Sequence, residues 1–113
     1  MSTRALEALD RILNRGGDAD DVLRAVVRVL EEEPGIGWAG IAFLEGGDLV
    51  LGPHAGEPDE DRRVRTPVAF QGRPVGELWV DGEADEAFLE RVALVISNHV
   101  LIGWDTGGEA WEA

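Results

Sequence analysis

The chain has 113 residues, is 44% hydrophobic and carries a formal net charge of −13 at pH 7. This length fits one domain with a modest core, and so negative a field repels nucleic acid and anionic lipid. The sequence contains no cysteine, which excludes disulfides, thiolate catalysis and cysteine metal sites. It also has no apolar run of about 18 residues and no apolar signal region at its N-terminus. We therefore expect a cytoplasmic protein that binds neither membranes nor nucleic acid.

The first third of the chain predicts two helices. Residues 4–14 carry apolar side chains that fall on one helical face: Leu6, Leu9, Ile12 and Leu13. A second apolar arc begins after Asp18, a suitable N-cap, and extends to Glu33. Pro34 and Gly35 then end it.

Four strands and a final helix follow. The strands are predicted at residues 36–44, 49–51, 64–70 and 75–81, and the helix at 86 to about 104. Gly46 and Gly47 suit a tight hairpin, and hairpin connections imply antiparallel pairing. Helices with apolar arcs must cover one face of this sheet. The pattern therefore predicts an α+β, two-layer domain over residues 1–105, with the N- and C-terminal helices on one face, and a flexible tail at 106–113.

Residues 52–63 are predicted to be a loop between the second and third strands. A dozen residues can connect two strands, but they are too few to also roof a cavity of several hundred cubic ångströms. We therefore interpret this stretch as a connector and His54 as a surface residue. His54 and His99 also lack recognisable ligand partners in the sequence, so we predict no metal and no cofactor.

Side-chain alternation sorts the sheet into two faces. The apolar sets Ala39, Ile41, Phe43 and Gly76, Leu78, Val80 should lie under the helices. The opposite face then carries the predicted ligand- or partner-binding residues: Trp38, Ala42, Glu77, Trp79 and Asp81. The alternative is that the two indoles simply pack on each other and shield the sheet.

The final helix carries two apolar stripes. One arc contains Phe88, Val92, Val95, Ile96, His99 and Val100 and should face the sheet. Leu94 and Leu101 lie on nearly the opposite side, seven residues apart. This second stripe needs another partner, either the N-terminal helix or a second subunit. We predict a homodimer whose interface includes Leu94 and Leu101.

Three stretches resemble the free methionine-(R)-sulfoxide reductases, which have the GAF fold. Residues 37–44, GWAGIAFL, resemble the first strand of that family, WVGFYL. Residues 49–58, LVLGPHAGEP, resemble its LVLGPFQGKP, and residues 72–81, GRPVGELWVD, resemble its GKLLGVLDID. The resemblance covers nearly the whole chain and implies a GAF-like domain with a ligand-binding side.

The chain departs from that family at several functional positions. Trp38 and Asp81 match ligand-side residues of the family, but Ala42 stands at the tyrosine position and Trp79 at the first aspartate position. The segment that walls the family's pocket and carries its catalytic cysteines is missing, and reduction of a sulfoxide by a thiol needs a nucleophilic sulfur. The resemblance therefore implies a shortened relative that is not an enzyme.

Three hypotheses for function follow. The first is a non-catalytic, GAF-like regulatory or protein-interaction module that forms a homodimer or docks on a signalling protein. The second is a small-molecule sensor with a shallow or dimer-completed site on the Trp38/Trp79 face of the sheet, which Glu77 and Asp81 also border. The third, an enzyme on this scaffold, is the least favoured because no catalytic constellation is recognisable in the sequence.

Overall fold

The computed structural model describes residues 3–104 and the side chains of residues 4–101. Its elements are α1 (Thr3–Arg15), α2 (Ala19–Glu31), β1 (Ile36–Glu45), β2 (Asp48–Gly56), β3 (Arg63–Phe70), β4 (Arg73–Gly82) and α3 (Glu86–Trp104). The predicted tail at 106–113 lies outside the described residues. Over residues 3–104, none of the helices combines the length and the apolar character that a membrane span requires.

The four strands form one antiparallel sheet in the order β2-β1-β4-β3. Gly46 and Gly47 close the β1–β2 hairpin with φ values of 59° and 92°, which this tight turn requires. Helix α2 packs on β1 and β2, α3 packs on β3, β4 and β1, and α1 packs on α2. The predicted two-layer α+β architecture is thereby confirmed.

The core lies between the sheet and helices α2 and α3. Its largest fully buried side chains include Ile41, Phe43, Leu78, Leu23, Leu30, Leu89 and Ile96. Truncating one such leucine or isoleucine to alanine typically costs about 2–5 kcal/mol, because a cavity remains. The arc predicted for the last helix is correct at four buried positions but wrong at Val95, which is 39% exposed because it lies at the edge of the packed face.

The second strand is longer than predicted. It continues through residues 52–56, because a β-bulge places Gly52 and Pro53 together opposite Ile41. A side chain at Gly52 would collide with the buried Phe43 ring, so this bulge requires glycine. The loop between β2 and β3 is therefore only residues 57–62, and it contains a short 3-10 turn at Glu60–Arg62. We call residues 57–62 the connector.

Candidate functional site

The face of the sheet opposite the helices brings the predicted binding residues together. Trp38 pairs with Asp81, Gly40 with Trp79, and Ala42 with Glu77 across β1 and β4. Residues directly opposite in antiparallel strands point to the same side. The sorting of these side chains from sequence therefore agrees with the strand register, whereas their role in binding stays a prediction.

Two arginines of β3 extend this face. Arg63 pairs with Asp81 and Arg65 with Trp79. The Arg63 Cζ atom lies 4.5 Å from the Trp38 ring centroid and 5.2 Å from the Trp79 centroid. The Arg65 Cζ atom lies 4.5 Å from the Trp79 centroid. All three distances are in the range of cation–π attraction, so the Arg63 guanidinium joins the two indoles.

Asp81 holds the edge of the same guanidinium. Its Oδ1 accepts a hydrogen bond of 2.8 Å from Arg63 Nε, and its Oδ2 accepts one of 2.9 Å from Nη2. The backbone N–H of Asp59, in the connector, donates a third bond of 2.6 Å to Oδ2. The carboxylate thus binds Arg63 bidentately and ties the connector to β4. We call Trp38, Trp79 and Asp81 the indole cage.

The ionisation of this pair follows from its surroundings. Burial alone would raise the pKa of Asp81, which is 2% exposed, but the hydrogen bonds from Arg63 and Asp59 and the guanidinium charge outweigh burial and lower that pKa. The hydrogen bond to Asp81 raises the pKa of Arg63 in return. Both groups are therefore charged at neutral pH.

Trp38 forms the floor of the site and is only 2% exposed. Its ring lies over Gly40, where an added Cβ would come within 2.5 Å of it. His54 flanks the ring at a centroid distance of 5.9 Å, and its Nδ1 lies 2.9 Å from the Gly52 carbonyl oxygen. A carbonyl only accepts, so Nδ1 carries the proton. His54 is therefore a half-buried residue of β2, and its prediction as a surface loop residue is wrong because β2 continues past the bulge.

The remaining predicted residues form the far side of the face. Trp79 is half-buried and donates its indole N–H to Glu77 Oε1 at 2.8 Å. Ala42 is fully buried beside this pair, on the neighbouring strand. The hydrogen bond fixes the orientation of the Trp79 ring against the two arginines.

The two predicted interface leucines lie in different surroundings. Leu94 is 71% exposed and borders a groove of about 590 Å³ between α3 and β3, lined also by Val64, Thr66, Ala69, Ala84 and Ala93. Leu101 is half-buried and lines a second groove, of about 440 Å³, with Leu44, Phe70 and Val75. Leu94 is thus the open one of the two, whereas Leu101 faces its own sheet.

The sequence analysis did not predict that Arg63, Arg65 and His54 contribute to the face of the sheet opposite the helices. The signal for the arginines was available, because Arg63, Val64, Arg65 and Thr66 alternate as strand residues do. Only the β3–β4 register places Arg63 opposite Asp81. No three His, Asp or Glu side chains converge on a metal position among the residues that the structure describes.

Comparison with known proteins identifies the fold. No family model matches the chain, and no curated protein matches it by sequence. Solved structures do match. The GAF domain of an Acinetobacter phosphoenolpyruvate-protein phosphotransferase has a TM-score of 0.70 at 18% identity, over 96% of this chain and 100% of that one.

Two reductases also match. The type II free methionine-R-sulfoxide reductase of Thermoplasma acidophilum has a TM-score of 0.62 at 22% identity, over 73% of this chain and 92% of that one. The Neisseria meningitidis free methionine-R-sulfoxide reductase, solved with its substrate, has a TM-score of 0.67 at 18% identity, over 93% of this chain and 95% of that one. The protein described here therefore has the GAF-like fold that the sequence resemblance implied, and its chain contains no cysteine.

These matches correct one prediction. We expected the chain not to be an enzyme, and this is contradicted because several structures that share its fold are enzymes. The physical reason is that a fold positions side chains without determining their chemistry, so the GAF-like fold does not exclude catalysis.

Proposed function

We propose that this protein is a GAF-like regulatory module that acts through protein contact as a homodimer, with the α3–β3 groove and Leu94 at the centre of the interface. The observation that carries the proposal is the 71% exposure of Leu94 next to an open, mostly apolar groove. An exposed apolar patch of this kind is typical of an interaction surface. The GAF domains among the similar structures make a regulatory role the natural class.

A second copy of the chain suits this groove. In a two-fold symmetric interface each patch meets its own copy, so Leu94 of one subunit enters the groove of the other. Arg65 lines the same groove together with Glu86 and Glu90. The Arg65 guanidinium itself lies over Trp79 on the other face of the sheet, so the groove offers apolar side chains bordered by the two carboxylates. The other predicted interface residue, Leu101, lies nearer the end of α3 and contributes only at the margin.

The net charge sets a condition on this dimer. Two chains of charge −13 repel each other, and salt screens that repulsion over a Debye length of about 8 Å at physiological ionic strength. The dimer should therefore strengthen as salt is added. A dimer held chiefly by ion pairs would instead weaken.

Light scattering after size-exclusion chromatography tests the proposal. We expect the wild type near twice the 12.2 kDa chain mass, and Leu94→Glu at the mass of one chain with unchanged helix content. Val50→Glu is the matched control, because Val50 is 40% exposed on the opposite edge strand, β2, and should leave the dimer intact. A monomeric wild type at high salt and micromolar concentration would refute the homodimer.

The indole cage favours a second candidate function, the sensing of a small molecule. Trp38, Trp79 and Asp81 surround a charged group with two aromatic faces and a carboxylate, which is a recognition geometry rather than simple sheet shielding. A metabolite that shifts tryptophan emission in the wild type but not in Trp79→Ala would support sensing. A screen in which no small molecule shifts the emission of either protein would count against it.

A further inference from the structure

All three residues of the indole cage contact one chemical group, the guanidinium of Arg63. The Arg63 Cζ atom lies over the Trp38 ring at 4.5 Å from its centroid, and Nε and Nη2 of the same guanidinium donate to Asp81. Trp79 contacts the same group from a second direction. Two aromatic contacts and a bidentate carboxylate select a planar cation with two parallel N–H donors, and these features belong to any guanidinium compound.

Arg63 stands at the boundary of an exposed segment. It is the first residue of β3 and directly follows the connector, whose residues 57–62 are all exposed. Outside the cage, Arg63 forms an ion pair with Glu60 at 3.4 Å, and the Glu60 side chain is 82% exposed. Such an exposed pair contributes little, so the cage supplies most of what holds the guanidinium in place.

The indole cage is unfavourable in free energy when no cation occupies it. The Asp81 side chain is 1% exposed, and a buried carboxylate without a cation is strongly unfavourable. Any departure of Arg63 therefore favours entry of another cation of the same shape. Because the Asp59 N–H binds the same carboxylate, such an exchange would also act on the connector.

We propose that the indole cage is a binding site for the guanidinium group of a small molecule, and that Arg63 is the internal occupant that such a molecule replaces. The inference deepens the sensing candidate and rests on it, whereas it is independent of the dimer. Binding would release the Arg63 end of the connector, which changes the surface that this edge of the sheet presents.

Chemical complementation of Arg63→Ala tests the site. The sequence contains four tryptophans, so Trp104→Phe and Trp111→Phe are added to restrict emission to the cage. Methylguanidinium is titrated to about 50 mM at constant ionic strength, a concentration too low for general denaturation. We expect a saturable change in emission for Arg63→Ala and also for the chain that retains Arg63, there with a half-saturation about tenfold higher but still within this titration, because the internal occupant competes.

Two matched controls separate recognition from non-specific effects. Urea has the same planar shape without charge and should give no saturable change. Adding Asp81→Asn to Arg63→Ala should raise the half-saturation for methylguanidinium at least tenfold. If Arg63→Ala is unfolded in buffer, the titration is followed by circular dichroism instead, and recovery of the folded signal by methylguanidinium supports the site.

Several results would overturn the inference. The first is a folded Arg63→Ala whose emission does not saturate with methylguanidinium. The second is an unfolded Arg63→Ala that methylguanidinium does not refold. The third is a change in emission with urea as large as that with methylguanidinium. If the chain that keeps Arg63 does not bind methylguanidinium up to about 50 mM, Arg63 is not a replaceable occupant of the cage. Light scattering on the same samples reports the dimer separately, so a monomer that binds would refute only the dimer.

Discussion

Asp81→Asn should be among the most destabilising conservative substitutions in this chain. The carboxylate accepts three hydrogen bonds, two from Arg63 and one from the Asp59 backbone, and its side chain is 1% exposed. An asparagine keeps one acceptor oxygen and turns an N–H group toward a donor. Removing one partner of a buried ion pair costs about 3–5 kcal/mol. The Arg63 side chain is 12% exposed and has Glu60 nearby, so we expect the lower end, about 3 kcal/mol.

Urea unfolding followed by circular dichroism measures this loss. With a typical slope of about 1.5 kcal/mol/M, a loss of about 3 kcal/mol lowers the midpoint by about 2 M. The melting temperature should fall by roughly 10–20 °C, which a domain of ordinary stability survives. The matched control is Asp61→Asn, an exposed carboxylate of the connector, which should change stability by less than about 0.5 kcal/mol.

The pH dependence gives the same prediction an independent check. Because the folded pKa of Asp81 is lowered, its contribution is complete above the unfolded pKa of about 3.9 and is lost as the pH falls through the lower, folded value. The wild type and Asp81→Asn should therefore converge in stability in strong acid. A loss below about 1 kcal/mol at neutral pH, or a difference that persists unchanged in acid, would refute the reasoning.

Three further predictions follow from single positions. Gly52→Ala should cost about 1–3 kcal/mol in urea unfolding because its methyl group meets the Phe43 ring, whereas Gly37→Ala, which meets only ordinary contacts, should cost clearly less. Gln71 closes the β3–β4 hairpin with φ 52°, so Gln71→Asn should stabilise the domain by about 0.5–1 kcal/mol, and unchanged stability would contradict this account of the turn. Burial lowers the pKa of His99, whose Nδ1 has no hydrogen-bond partner among the described residues. The free energy of unfolding of the wild type should therefore fall as the pH drops below about 6.5, the ordinary pKa of histidine. His99→Leu should remove this dependence of stability on pH.

Much of the fold was available from the sequence because local rules decide it. Periodicity predicted each of the three helices and four strands found in residues 3–104, although it made β2 too short, and the paired glycines located the first hairpin. The alternation of side chains also assigned Trp38, Trp79 and Asp81 to one face before any strand pairing was known. These features depend on a few residues that are neighbours in the chain, so they can be predicted from the sequence.

The tertiary structure decided what the residues of that face do. The bulge at Gly52, where the Phe43 ring leaves no room for a side chain, lies within β2, and the strand continues past it to place His54 beside Trp38. The contact between Arg63 and Asp81 joins residues 18 positions apart and depends on the β3–β4 register. Register arises from packing of whole strands, which no short pattern encodes. The sequence alone thus determined the layers and their faces, whereas the packed sheet determined that the two indoles enclose a guanidinium group.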